Sequence, residues 1–200
     1  MCLIAMSSSG FAELDTSFWA LACKANADGI GLMYHDSKAL VVRYADTPDI
    51  SGLEALLTSV PPGLRAAVHL REATAGARGR ANLHPRLTQL REGRLAIMHN
   101  GCLRKVPAHP TQGPSDTAIF ASKLLPNLLE RGGGPWHDPR NLTAVRQFAG
   151  TRNRFVLLDE RGQWRVVAED EGFWVGQTWL SHPRAKNWLT PSQPPQLTIF

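Results

Sequence analysis

Short apolar runs alternate with polar breaks along this chain, and their spacing predicts strands in groups with helices between the groups. Residues 2–7, Cys-Leu-Ile-Ala-Met-Ser, read as an apolar strand, and residues 18–25, with Leu21 and Ala22, as a short helix. Gly29 and Gly31 open a second apolar run over 30–34. A third follows over 39–44, and Asp36-Ser37-Lys38 between them predicts a hairpin. Residues 52–59 are helical in pattern and stop at Pro61-Pro62-Gly63, which cannot continue a helix. Residues 65–70 form a compact apolar run, predicted as a central strand and bounded by the polar Arg71-Glu72 step. Residues 95–99 form another, ending on Asn100-Gly101.

After a Pro- and Gly-rich loop over 106–114, Ser115 is expected to cap a helix running through Ile119, Phe120, Leu124 and Leu128. Gly132-Gly133-Gly134-Pro135 breaks it. Residues 141–148 predict a last helix. The runs 155–158, 164–168 and 173–176 predict a late meander, turning at Asp159-Glu160-Arg161-Gly162 and Glu169-Asp170-Glu171-Gly172. Residues 183–200 are proline-rich and expected to wrap the surface as a C-terminal tail. No internal repeat is visible. Antiparallel strand groups with segregated helices argue for an α+β layered fold rather than a doubly wound one.

Composition narrows this picture. Two hundred residues at 43% hydrophobic content suit a single domain, 1–200, with a substantial core. Three cysteines, Cys2, Cys23 and Cys102, are an odd number without CxxC spacing, which suggests neither a disulfide framework nor a zinc site. No apolar run approaches the ~20 residues that cross a bilayer, and no signal-peptide layout is present, so a cytoplasmic protein without a membrane partner is expected. The formal charge of +5 comes mainly from scattered arginine, densest over residues 78–94. Dispersed charge is a weaker footprint than a stripe, so nucleic acid is not the expected partner.

Candidate chemistry begins at Cys2. Were Met1 removed, one residue would carry both a thiol and a free amine. These titrate near ~8.5 and ~7.7–8.0, so the amine can take the thiol's proton with little mismatch. Four further clusters stand at the ends of apolar runs: Asn26-Ala27-Asp28-Gly29-Ile30-Gly31, His69-Leu70-Arg71-Glu72-Ala73-Thr74, Asn82-Leu83-His84-Pro85, and His99-Asn100-Gly101 with Ser115-Asp116-Thr117 after it. Singly, each has an ordinary reading. Asn100-Gly101 suits a turn, Asp116 suits a helix start, and His69 and His84 suit structural hydrogen bonds, their spacing being unlike a metal helix. Arg71, closing an apolar strand, must find a carboxylate or reach solvent.

Together, and in this order, the clusters resemble the class-II glutamine amidotransferase domains, which are N-terminal-nucleophile hydrolases, and most closely the small stand-alone members. Met1-Cys2 stands at the start, Asp28-Gly29-Ile30-Gly31 where the family commonly has Asp-Gly-Trp-Gly, and His69 to Ala73 on the family's His-x-Arg-x-Ala segment. The resemblance implies a four-layer αββα sandwich of two stacked, mainly antiparallel sheets. It implies that Cys2 is the nucleophile and that Asn100 and the Gly101 N–H form an oxyanion hole. Arg71 would grip the substrate α-carboxylate with Thr74 beside it, and Asp116 would bind the α-ammonium. Glutamine or another γ-glutamyl amide is then the substrate, no metal or cofactor is needed, and a separate synthetase is the acceptor of ammonia if the chain works as a subunit. The alternative is the same fold retired from catalysis and used as a binding or assembly module. Leu3, Ile30 and Glu72 depart from the commonest pattern, and Glu72 is placed to compete for Arg71.

Overall fold

The computed structural model describes residues 2–45 and 47–189. Ten strands are present among them: β1 (Leu3–Ser7), β2 (Ile30–His35), β3 (Leu40–Tyr44), β4 (Ala66–Leu70), β5 (Arg86–Leu90), β6 (Gly93–Asn100), β7 (Arg154–Asp159), β8 (Trp164–Val167), β9 (Phe173–Val175) and β10 (Thr178–Leu180). They form a six-stranded sheet in the order β3-β2-β4-β1-β10-β9 and a four-stranded sheet in the order β5-β6-β7-β8, with every pairing antiparallel.

The central strands are apolar on both faces, and this dictates the layering. In β1, Ile4 and Met6 meet the other sheet while Leu3 and Ala5 face the opposite way, toward helices α1 (Thr16–Ala25) and α2 (Ile50–Thr58). In β6, Ala96 and Met98 point inward while Leu95 and Ile97 pack outward against α4 (Leu125–Glu130) and α5 (Pro139–Ala149). The result is the expected αββα sandwich. Its middle layer includes Met33, Ala67, Val156, Leu158 and Trp179, and the fully buried large side chains among these stabilise by about 1.5–3 kcal/mol each. Asp15, Asp49, Ser115 and Asp138 cap α1, α2, α3 (Asp116–Ile119) and α5 through their side-chain oxygens.

Three features depart from the sequence expectation. Strand β5 lies at a sheet edge with Leu87 exposed and Thr88 buried, so its pattern lacks an apolar stripe. The late meander is broken: after β8 the chain crosses to the other sheet, where β9 pairs with β10 across Gly176-Gln177. A short 3₁₀ turn, Glu169–Glu171, carries that crossing, and Arg154 holds it through Glu171 at 3.3 Å. The helix capped by Ser115 contains a π-helical turn, Phe120–Leu124, in which the Leu125 N–H reaches back to the Phe120 carbonyl. Pro126, next in line, has no N–H to give. Of the segment from Pro183 onward, Pro183–Trp188 forms a 3₁₀ helix that sets Trp188 edge-on against Phe18 of α1. Residues 190–200 lie outside the described residues.

Gly31 is required by packing, since a Cβ there would overlap the His84 carbonyl oxygen, part of a segment also held by Tyr44 Oη donating to the Pro85 carbonyl at 2.6 Å. Gly31→Ala should lower stability by about 1–3 kcal/mol, read as a lower urea midpoint. An unchanged midpoint would contradict this close approach.

Candidate active site

Strand register assembles the site. Leu3 pairs with Leu70 on one flank of β4 and Ile30 pairs with Leu70 on the other. One step further along the antiparallel ladder, Cys2 stands opposite Arg71. Arg71 is still tied to the neighbouring strand, its N–H donating to the Gly29 carbonyl at 2.8 Å while Asp28 N–H donates to the Arg71 carbonyl at 2.9 Å. Because side chains alternate, Cys2 continues the inward face of Ile4 and Met6, and Asn100 continues that of Ala96 and Met98. The nucleophile candidate, the arginine and the asparagine therefore lie on facing inner surfaces at one end of the sandwich.

Cys2, Arg71, Thr74, Gly101 and Asp116 line one cavity, together with Glu72, Ala73, Ala75, His84, His99, Ser115 and Thr117. Thr74 is at the exposed rim. Asn100 lies behind Gly101, fully buried, with Nδ2 2.8 Å from Ser181 Oγ and no partner for Oδ1. The cavity is about 20 Å³, room for roughly one water.

Arg71 is the electrostatic centre of this cavity. It is 3% exposed. Its Nη2 donates to the carbonyls of Ala75 at 3.3 Å and Ala77 at 3.2 Å, and Nη1 is buried with no hydrogen-bond partner. Both bonds of Nη2 thus go to backbone carbonyls. A buried charged donor left open costs more than the ~1–3 kcal/mol of a neutral one. Such a site is satisfied by an anionic oxygen entering the cavity.

The loops around Arg71 are held by three side chains. Asp28 accepts from Ala73 N–H at 2.7 Å and pairs with Arg78 at 2.9 Å. Asn82 donates to the Ala77 and Gly113 carbonyls, both at 2.9 Å, and accepts from Ser115 N–H at 2.7 Å. Asp116, at the start of α3, accepts from Leu103 N–H and Thr117 N–H, both at 2.7 Å, which folds the chain after Gly101 back onto the cavity. Any side chain at Gly101 would strike Asn153 Oδ1 and the Arg152 carbonyl.

Cys2 Sγ rests against the Glu72 backbone, 3.3 Å from its carbonyl oxygen and 3.4 Å from its N–H. Burial pushes the thiol up to about 11, with the Arg71 charge opposing that rise. A thiol so placed holds its proton at neutral pH.

Residues 1–153 match the family described as glutamine amidotransferases class-II. The chain belongs to the class-II glutamine amidotransferases. Among curated proteins, an amidophosphoribosyltransferase of Lacticaseibacillus casei is 34% identical over 116 residues, covering 56% of this chain and 58% of that protein. Among solved structures, one titled as the allosteric regulatory enzyme of purine biosynthesis superposes at a TM-score of 0.61 and 18% identity, over 94% of this chain and 43% of that one. At that identity the likeness establishes a shared fold. This amidotransferase chain spans under two thirds of either relative.

Sequence reasoning missed the residues that hold the site from behind. Asn153 donates to the Ala149 and Thr151 carbonyls, which turns its Oδ1 toward His99 Nε2 at 2.9 Å. That ring nitrogen must carry the proton, leaving His99 Nδ1 to accept from Thr117 Oγ1 at 2.7 Å. His69 Nε2 faces the His99 carbonyl at 3.1 Å and His84 Nδ1 at 3.0 Å, so it is protonated as well. His69, His84 and His99 were visible as members of motifs, but Asn153 carried no signal. Among the described residues no cluster of His, Cys, Asp or Glu suits a metal ion, and no helix is long and apolar enough to cross a membrane. The basic run is partly neutralised locally, Arg78 by Asp28, Arg91 by Glu130 and Arg94 by Glu160.

Burial holds all three histidines below the ordinary 6.5, His69 at about 3. Each binds its proton more weakly folded than unfolded, so their contribution is complete above pH 6.5 and is lost as pH falls below it, for His69 down to about 3. Stability should decline between pH 6.5 and 4.5 by up to about 1.4 kcal/mol per pH unit for each histidine that stays neutral. Urea midpoints measured across that window test this, and a flat profile would contradict the neutral, buried assignment.

Proposed function

We propose that this chain hydrolyses the γ-carboxamide of glutamine through a Cys2 thioester and releases ammonia. The observation that carries the reading is the open Nη1 of buried Arg71 on the cavity shared with Cys2. A guanidinium with a free donor, beside a nucleophile and an aspartate, selects a substrate that has a carboxylate and an ammonium at one end. Arg71 receives the α-carboxylate, Thr74 lines its rim, and Asp116 receives the α-ammonium. Glutamine is larger than the present cavity, so residues 72–77 or 101–115 move outward to admit it.

Removal of Met1 supplies the base. The Cys2 nitrogen then becomes an amine that takes the Sγ proton, and the thiolate attacks the amide carbon. The oxyanion is held by the Asn100 side chain and the Gly101 N–H. Collapse breaks the C–N bond, the terminal ammonium returns its proton to the leaving nitrogen, and ammonia departs. Water hydrolyses the γ-glutamyl thioester to glutamate and restores the thiol. No metal takes part. We place the protein in the cytoplasm, delivering ammonia to an acceptor synthetase.

Steady-state glutaminase assays on chain beginning at Cys2 test this. Asn100→Ala should lower kcat by about 10²–10³ with a modest change in KM. Arg71→Lys, which loses the planar fork, should raise KM at least about tenfold. Parent-like kcat/KM for glutamine in both variants, or no glutaminase activity in the parent, would overturn the assignment.

A further inference from the structure

Ser181 has no role in the reading above, yet it is the residue that joins the strand of the nucleophile to Asn100. It follows β10, is fully buried, and sits beside Ile4, two residues after Cys2: Ser181 N–H donates to the Ile4 carbonyl at 2.9 Å, and Ile4 N–H donates to Ser181 Oγ at 2.8 Å. On its other side Oγ lies 2.8 Å from Asn100 Nδ2. A serine hydroxyl has one proton to give and two lone pairs. With Nδ2 turned toward it, Ser181 Oγ accepts twice, no acceptor among the described residues receives its own proton, and Asn100 Oδ1 is left buried without a partner. Two groups are then unsatisfied in a site with no water exposure, each costing about 1–3 kcal/mol.

A half-turn of the Asn100 amide about Cβ–Cγ keeps every heavy-atom contact and gives the serine proton an acceptor. Ser181 Oγ–H then donates to Oδ1, Ile4 N–H keeps its acceptor, and Nδ2 takes the position that Oδ1 vacates. What was an orphaned acceptor becomes a donor awaiting an oxygen. Gly101, the next residue, lines the cavity of Cys2.

We propose that Ser181 is a positioning residue for catalysis: its hydroxyl, anchored on Ile4, fixes the Asn100 amide with Oδ1 inward and Nδ2 toward the oxyanion. This rests on the glutaminase reading for its kinetic consequence and on hydrogen-bond geometry alone for the orientation. The backbone anchor accounts for one lone pair of the buried hydroxyl, since Ile4 N–H donates to Ser181 Oγ while the Ile4 carbonyl accepts from Ser181 N–H.

Two measurements test it. Neutron diffraction from deuterated crystals of the full chain distinguishes the amide nitrogen from the oxygen, whether or not the protein turns over glutamine. Oδ1 on Ser181, with the hydroxyl deuteron directed at it, is expected; Nδ2 on Ser181 overturns the proposal. In glutaminase assays Ser181→Ala should lower kcat at least about tenfold with KM within twofold. Alkylation of Cys2 by iodoacetamide, which forms no oxyanion, should stay at the parent rate. Added to Asn100→Ala, the serine change should cost nothing further. Equal losses in turnover and alkylation, or additive losses in the double variant, would mean a merely structural serine and overturn the role. An inactive parent would instead refute the glutaminase reading, leaving the neutron result to decide the orientation.

Discussion

The antiparallel register between β1 and β4 is the constraint on which the site depends. Pairing Leu3 with Leu70 puts Cys2 opposite Arg71, and a slip of β1 by one residue would turn Cys2 from the space between the sheets to the helix-covered face. The register is itself enforced by burial, because Ile4, Met6 and Ala67 must meet the second sheet while Leu3, Ala5, Val68 and Leu70 must meet the helices. Core packing and placement of Cys2 are therefore one requirement. The same logic on β6 delivers Asn100 from the other sheet, and the contact of the two inner faces brings the halves together.

Around that frame the polar groups divide into those that are satisfied and those that are not. Asp28, Asn82, Asp116, His99 and Asn153 spend their hydrogen bonds on backbone and on one another, and so fix the loops. Among the described residues five buried side-chain atoms lack a partner, Arg71 Nη1 and Asn100 Oδ1 at this end of the sandwich and one each on Asn26, Arg86 and His137. Proteins satisfy the great majority of buried polar atoms, so the open donor of Arg71, which alone of the five belongs to a residue lining the cavity of Cys2, points to a ligand there. Burial raises the affinity of the Cys2 thiol for its proton, and the nearby positive charge of Arg71 works against that rise.

Much of this was legible in the sequence where local rules operate. The strand at 65–70, the hairpin over 30–44 and the Ser115 cap follow from apolar runs and turn residues, and the ordered motifs singled out Cys2, Arg71, Gly101 and Asp116. What was not legible is set by distant partners. Arg86–Leu90 is a strand because β6 offers it an edge, and β9 belongs to the opposite sheet because the chain crosses at Ala168 to Gly172. Asn153 and Ser181 are single polar residues that no spacing rule marks, and they matter only because the fold sets them behind His99 and Asn100. The Asp28-Gly29-Ile30-Gly31 motif was read as a family marker. Its physical content is a carboxylate that anchors the arginine loop and a glycine that admits the 84–85 backbone.

The central claim is that Cys2, freed of Met1 and served by Arg71, is the nucleophile for a glutamine-like substrate. Intact-mass and peptide mass spectrometry before and after treatment with a diazoketone analogue of glutamine addresses it most directly. A chain beginning at Cys2 should gain one adduct, located on Cys2 and suppressed by excess glutamine, while a chain retaining Met1 should gain none there. A chain that begins at Cys2 and remains unlabelled, or that carries the adduct on Cys23 or Cys102, would contradict the claim.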